Sequence, residues 1–137
     1  MDPAEVALQR VRMAHVRWRL AALDRARAVV AALEAGACLA EVVPGTDVRS
    51  NGELPWLAED AVDIALPAGF SGASVRELGE RYAVGELCED QLCSQLIRWC
   101  ARRGVDAREQ RREVGLLFID ELIDEPLYRR LQEAVVE

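Results

Sequence analysis

Residues 86–104 read Glu86-Leu-Cys-Glu-Asp-Gln-Leu-Cys-Ser-Gln-Leu-Ile-Arg-Trp-Cys-Ala-Arg-Arg-Gly104, and the fold turns on what this stretch forms. At 3.6 residues per turn, Cys88, Leu92, Cys93, Leu96, Trp99 and Cys100 share one broad stripe. Gln91, Ser94, Gln95, Arg98 and Arg102 fall opposite. Arg102 and Arg103 set positive charge in the last turn, where the helix dipole favours it, and Gly104 stands where a left-handed cap is wanted. The stretch therefore predicts a central, one-sided helix that must be buried against others.

Working outward, Asp106-Ala-Arg-Glu109 opens a helix running to Ile123, and Asp124-Glu125-Pro126 ends it and starts a last helix to about Val135. Upstream, Ser74-Val-Arg-Glu77 is a capping box for a helix to about Ala83, followed by the turn at Val84-Gly85. A helix is expected from Pro55 to Leu66, stopped by Pro67-Ala-Gly-Phe-Ser-Gly72, and residues 37–54 read mostly as loop.

The N-terminus has Asp2 as N-cap, Pro3 at the first helical position and Glu5 placed for a capping box, and Gly36 marks the stop. Between them Val6, Met13, Val16, Leu20, Leu23 and Val30 form one apolar stripe. Leu8, Val11, His15, Trp18, Ala22, Val29 and Leu33 form an adjoining one. That is too much apolar surface for an isolated helix of roughly 50 Å, so it reads as a spine or a dimer seam, or as two helices broken near Asp24. Gln9 and Arg27 interrupt the first stripe, which argues against a long regular coiled coil there. The fold expected is all-α: a compact bundle of about six helices with a long N-terminal helix. It is read as a single domain, residues 1–36 packing on a bundle of residues 55–137.

Composition agrees with a globular chain. Its 137 residues, 51% apolar and 30% charged, suffice for one core that buries roughly 68% of the unfolded surface. No apolar run approaches the ~20 residues of a membrane span, and the opening Met-Asp-Pro-Ala-Glu lacks a basic and then apolar leader, so a cytoplasmic or host-intracellular location is expected. The chain has no lysine; scarce Lys, Asn and Ile beside abundant Ala and Arg point to a GC-rich coding bias, with avoidance of lysine-directed tagging as the alternative. A net charge of −7 argues against nucleic acid as the main partner.

Chemistry finds little to work with. Helical placement puts Cys93 and Cys100 about 10 Å apart along the axis, and Cys88 and Cys93 about 140° apart around it. Neither pair can bridge or hold one metal ion, so the thiols, Cys38 included, read as buried packing residues, and no metal or cofactor is expected. His15 is the only histidine and reads as a core or interface residue. No nucleophile, base and orienter set can be assembled from it, Thr46 and the four serines, so no catalytic residues are proposed and the protein is not expected to be an enzyme.

Charge is uneven. Residues 1–34 hold six arginines against four acids, and residues 35–100 hold eleven acids against four arginines. On the helix ending near Ile123, Leu116, Ile119, Leu122 and Ile123 supply the expected core stripe, while Val114, Leu117 and Phe118 lie outside it, either covered by the long first helix or forming a patch for a partner; Leu117 and Phe118 stand beside Asp120 and Asp124. These four residues, with Arg12 and Arg19 as a second surface, are the expected contacts for a protein partner or a second copy of the chain.

Leu96-Ile-Arg-Trp-Cys-Ala-Arg-Arg-Gly104, followed by Ala107 and then Pro126-Leu127, resembles the late helix of death-fold-like interaction domains, among them the effector-associated domains of bacterial conflict systems. Val75-Arg-Glu-Leu78 leading into Gly85-Glu-Leu87 is similar to death-effector-type helices. The resemblance covers residues 55–137 at most. Cys100 stands where alanine is usual, the Asn-Pro pair is absent, and the arginine-rich first helix has no counterpart. It implies a non-catalytic six-helix module that recruits partners by like-with-like contacts. Two other readings stay open: a helical chaperone or regulator of a secreted or viral apparatus whose acidic body holds a basic client, and an acidic DNA-mimicking or helix-turn-helix-like regulator. For the latter, Glu86, Glu89 and Asp90 would stand at the start of the recognition helix, aimed at phosphates.

Overall fold

The computed structural model describes residues 2–42 and 65–134. Among them the regular structure is entirely helical: α1 Pro3–Glu34, α2 Leu39–Val42, α3 Val75–Ala83, α4 Glu89–Arg103, α5 Ala107–Ile119 and α6 Glu125–Ala134. The all-α expectation holds. The helix expected over 55–66 falls mostly on 55–64, outside the described residues, and Ala65 and Leu66 are not helical.

The chain divides into two compact units, one of residues 1–16 and 66–137 and the other of residues 17–65. Within the first, α3 packs on α4 and α5, and α6 packs on α4 and α5. The shared core holds Val75 and Leu78 of α3, Leu92, Leu96 and Trp99 of α4, Val114 and Leu117 of α5, and Leu127 and Leu131 of α6. Within the second, the later part of α1 buries Leu20, Ala26 and Val29, and Gly36 leaves the helix at φ 103°, which a Cβ would oppose.

The helix starts follow the sequence closely. Asp2 Oδ1 accepts from the Ala4 N–H at 3.2 Å, and α1 then runs unbroken past Asp24. Ser74 Oγ accepts from the Glu77 N–H at 3.0 Å, satisfying an otherwise orphaned donor of α3, while Glu77 Oε1 reaches back to accept from the Ala73 N–H just before the cap at 2.9 Å. Asp106 does the same for Glu109 at the start of α5, at 2.8 Å.

In α4 the reading is corrected at two places. Cys88 is not part of the buried stripe: the helix begins one residue later, and Cys88 is its exposed N-cap, donating its N–H to Gln91 Oε1 at 2.8 Å. Gln95, placed on the outer face, is buried, because the 65–74 segment folds over it; it accepts from the Ser71 N–H at 2.7 Å and donates to Ser71 Oγ at 2.9 Å. Trp99 meets Phe70 edge to face with centroids 5.3 Å apart, beneath the guanidinium groups of Arg102 and Arg103. Gly104 adopts the left-handed cap at φ 65°, and Val105 N–H closes the turn on Cys100 O at 3.2 Å.

Of the four thiols, Cys93 and Cys100 are buried, while Cys38 and Cys88 are exposed rather than packed. Cys38 Sγ lies 3.0 Å from Glu41 Oε1.

Candidate functional site

The surface singled out from the sequence lies on α5 and the turn after it, and the helix phase there differs from the expectation. α5 ends at Ile119, not Ile123. Glu121, φ 60°, takes the left-handed position in place of a glycine, and Leu122 N–H reaches back to Leu117 O at 3.0 Å. Leu122 and Ile123 are therefore turned into the core by the reversal rather than by helix periodicity. The stripe that helix geometry buries is Val114 and Leu117.

Leu117 is consequently not a surface residue: it is 2% exposed and sits over Gly79 of α3. A Cβ at residue 79 would come within 2.6 Å of Leu117 Cδ2, so the Leu117 side chain occupies the space that the missing Cβ leaves where α3 meets α5. Leu116 and Ile119, assigned to the core, are instead 48% and 72% exposed. Between them in sequence Phe118 stacks on Tyr128 of α6, centroids 4.7 Å apart, and leaves its other side open. Beside Gly115 there is open space.

The charged members have structural partners. Asp120 pairs with Arg76 of α3. Asp124 caps α6, accepting from the Leu127 N–H at 3.0 Å. Arg12 pairs with Glu121 and also donates to Gln9 at 3.1 Å. Arg19 is half-buried and belongs to the other compact unit.

Next to this surface an open cleft of about 570 Å³ is lined by Gln9, Met13, Tyr82, Leu87 and the Glu121–Asp124 turn. Burial, reinforced by the charges of Asp124 and Glu89, holds the Tyr82 phenol above its ordinary range. Its walls thus present carboxylates and a protonated phenol to whatever enters.

The region resembling a helix-turn-helix is stitched to its own chain. Arg81, buried between α3 and the turn, donates to Glu77 Oε2 through Nε and Nη2 at 3.0 and 2.9 Å and to Glu86 at 2.8 Å. At the start of α4, Asp90 and Glu89 meet Arg130 of α6 at 2.9 and 3.5 Å. These acids tie helices together at the end where a recognition helix would need to reach phosphates.

The chain matches no family model, no curated protein and no solved structure. Among the described residues no group of histidine, cysteine, aspartate and glutamate is placed to hold a metal ion, and no helix is long and apolar enough to cross a membrane.

Residues that the sequence reading passed over prove central to positioning this surface. Gly79, in the middle of a predicted helix, carried a signal, since a glycine there is unfavourable unless something approaches closely. The pairing of Gln95 with Ser71 and the Glu77–Arg81–Glu86 cluster carried none beyond their spacing.

Proposed function

We propose that this domain is a non-catalytic protein-interaction module that docks a protein partner, or another copy of itself, on the outer face of α5. One observation carries the reading: Leu116 and Ile119 stand exposed on one face of a helix whose opposite face, Val114 and Leu117, is fully committed to the core. Large apolar side chains exposed side by side, here next to Asp120 and Glu121, are a common mark of a contact surface. The death-fold-like resemblance adds that such contacts would be like-with-like.

Affinity purification from the native cell tests it, comparing the wild-type chain with Ile119→Asp. Partners recovered with the wild type and lost with a variant of unchanged unfolding midpoint support the surface. The same partners kept at the same level by Ile119→Asp overturn it.

The cleft favours a second reading, a helper that holds a basic client segment, because Glu121 and Asp124 line it. Salt-sensitive binding of an arginine-rich peptide, weakened by Glu121→Gln, distinguishes this from docking on α5.

A further inference from the structure

In the α3–α6 bundle Arg76, Arg81, Arg129 and Arg130 each meet a carboxylate of their own chain. Arg98 and Arg102, one turn apart on the outer face of α4 and both exposed, meet none among the described residues. Both are nevertheless held in place. Arg98 donates from Nη2 to Gly69 O at 3.2 Å and lies 5.0 Å from the centroid of the Phe70 ring, and Arg102 lies 5.8 Å from that of Trp99. A free arginine loses rotamer freedom when it takes a carboxylate; a guanidinium already resting on a ring loses less. The N–H groups not engaged by Gly69 keep the planar fork that suits a carboxylate. Arg103 lies around the helix, where its charge acts on Glu113, and is not part of this face.

Ser94, Ile97, Arg98, Ala101 and Arg102 stand at i, i+3, i+4, i+7 and i+8, the spacing of one helix face, and all five are exposed, Ile97 at 50%. Around the helix Ile97 forms one edge, Ala101 and Ser94 the middle, and Arg98 and Arg102 the other edge. The small middle lets a second segment lie close to the backbone. Nearer the start of α4 the face carries Asp90, which is matched by Arg130, so the positive charge is confined to the C-terminal half.

An occupant complementary to this face has apolar side chains along one side and carboxylates along the other. A second copy is a poorer match, because the acids of its α5 surface, Asp120 and Glu121, already meet Arg76 and Arg12. A nucleic acid is poorer too, since a long polyanion would meet the net charge of −7. A short acidic segment feels mainly the charges within about 8 Å at physiological salt.

We propose that the outer face of the C-terminal half of α4 docks an acidic, amphipathic segment of a partner protein, its carboxylates on Arg98 and Arg102 and its apolar side against Ile97. This face is on a different helix from the α5 surface and does not rest on that reading.

Fluorescence anisotropy tests it, with a labelled helical peptide that carries leucines on one side and glutamates on the other. Saturable binding that weakens as salt is raised is expected. Arg102→Gln, an exposed exchange to a good helix former, should weaken binding about tenfold with the unfolding midpoint unchanged. Adding Arg98→Gln should weaken it further. Ile97→Glu, which sets a carboxylate against those of the peptide, should weaken it at least as much as Arg102→Gln. Ile119→Asp should bind as the wild type does. The proposal is overturned by the absence of saturable binding, by equal binding of a peptide with glutamine for glutamate, or by binding indifferent to the two arginines. A DNA duplex that competes as well as unlabelled peptide overturns it in favour of a nucleic acid. Light scattering that finds a dimer dissolved by Arg102→Gln overturns it in favour of a second copy.

Discussion

Neighbouring residues on α5 are expected to respond in opposite ways to substitution. Leu117→Ala should destabilise the fold by about 2–5 kcal/mol, since its side chain is fully enclosed against α3. Ile119→Asp should stay within about 0.5 kcal/mol of the wild type. Denaturant unfolding of the two variants checks both, and equal effects would mean that α5 faces the other way. The thiols offer an independent measure. Cys38 and Cys88 are exposed, whereas burial encloses Cys93 and Cys100 and pushes both thiols above their ordinary range. Two thiols per chain should therefore react quickly with an aromatic disulfide reagent and two only on unfolding. The error over Leu117 had a physical origin: counting Leu122 and Ile123 as helical shifted the assumed phase of the stripe, and a left-handed glutamate is not a stop signal that sequence rules favour.

Elements were more legible than faces. Asp2, Ser74 and Asp106 each begin a helix by accepting backbone N–H groups, and Gly36 and Gly104 each end one in left-handed geometry, because these effects depend on two or three adjacent residues. What lay beyond reach depends on distant ones. Gln95 looks solvent-facing on a wheel and is buried only because Ser71 closes over it. Arg81 looks like an ordinary surface arginine and is nearly enclosed between Glu77 and Glu86. That cluster makes a prediction for α3 as an element. Arg81→Leu should destabilise by about 3–5 kcal/mol, as it leaves Glu77 buried without its guanidinium, and adding Glu77→Leu should return much of the loss. A double variant no more stable than the single one would show that the pair is not coupled.

At the scale of the molecule, the stability of the α3–α6 bundle should depend on pH through Glu113. Burial, followed by the charge of Glu109, holds its carboxyl above the ordinary range against the opposing pull of Arg103 and Arg112. An acid that binds its proton more tightly when folded favours the fold fully below its unfolded value, near pH 4.3, and that contribution is lost as pH rises through the folded value. Glu113→Gln should then be more stable than the wild type at neutral pH, with the difference shrinking on acidification to about pH 4. Unfolding midpoints of both proteins at the two pH values decide it, and a constant difference would exclude Glu113 as the source. The overall class was readable from the chain because helix periodicity and caps repeat throughout it. The division into compact units was not, since the boundary falls inside α1, where local sequence carries no break.

The crossing of α3 and α5 at Gly79 gives the bundle an adjustable spacer. A methyl group there would act as a wedge, meeting Leu117 Cδ2 at 2.6 Å and forcing α5 outward, at about 1–3 kcal/mol for an overpacked core. Leu116 and Ile119 would travel with the helix while their own chemistry stayed the same. Residue 79 is thus a remote handle on the α5 surface: it changes where that surface is held without touching any side chain a partner would meet.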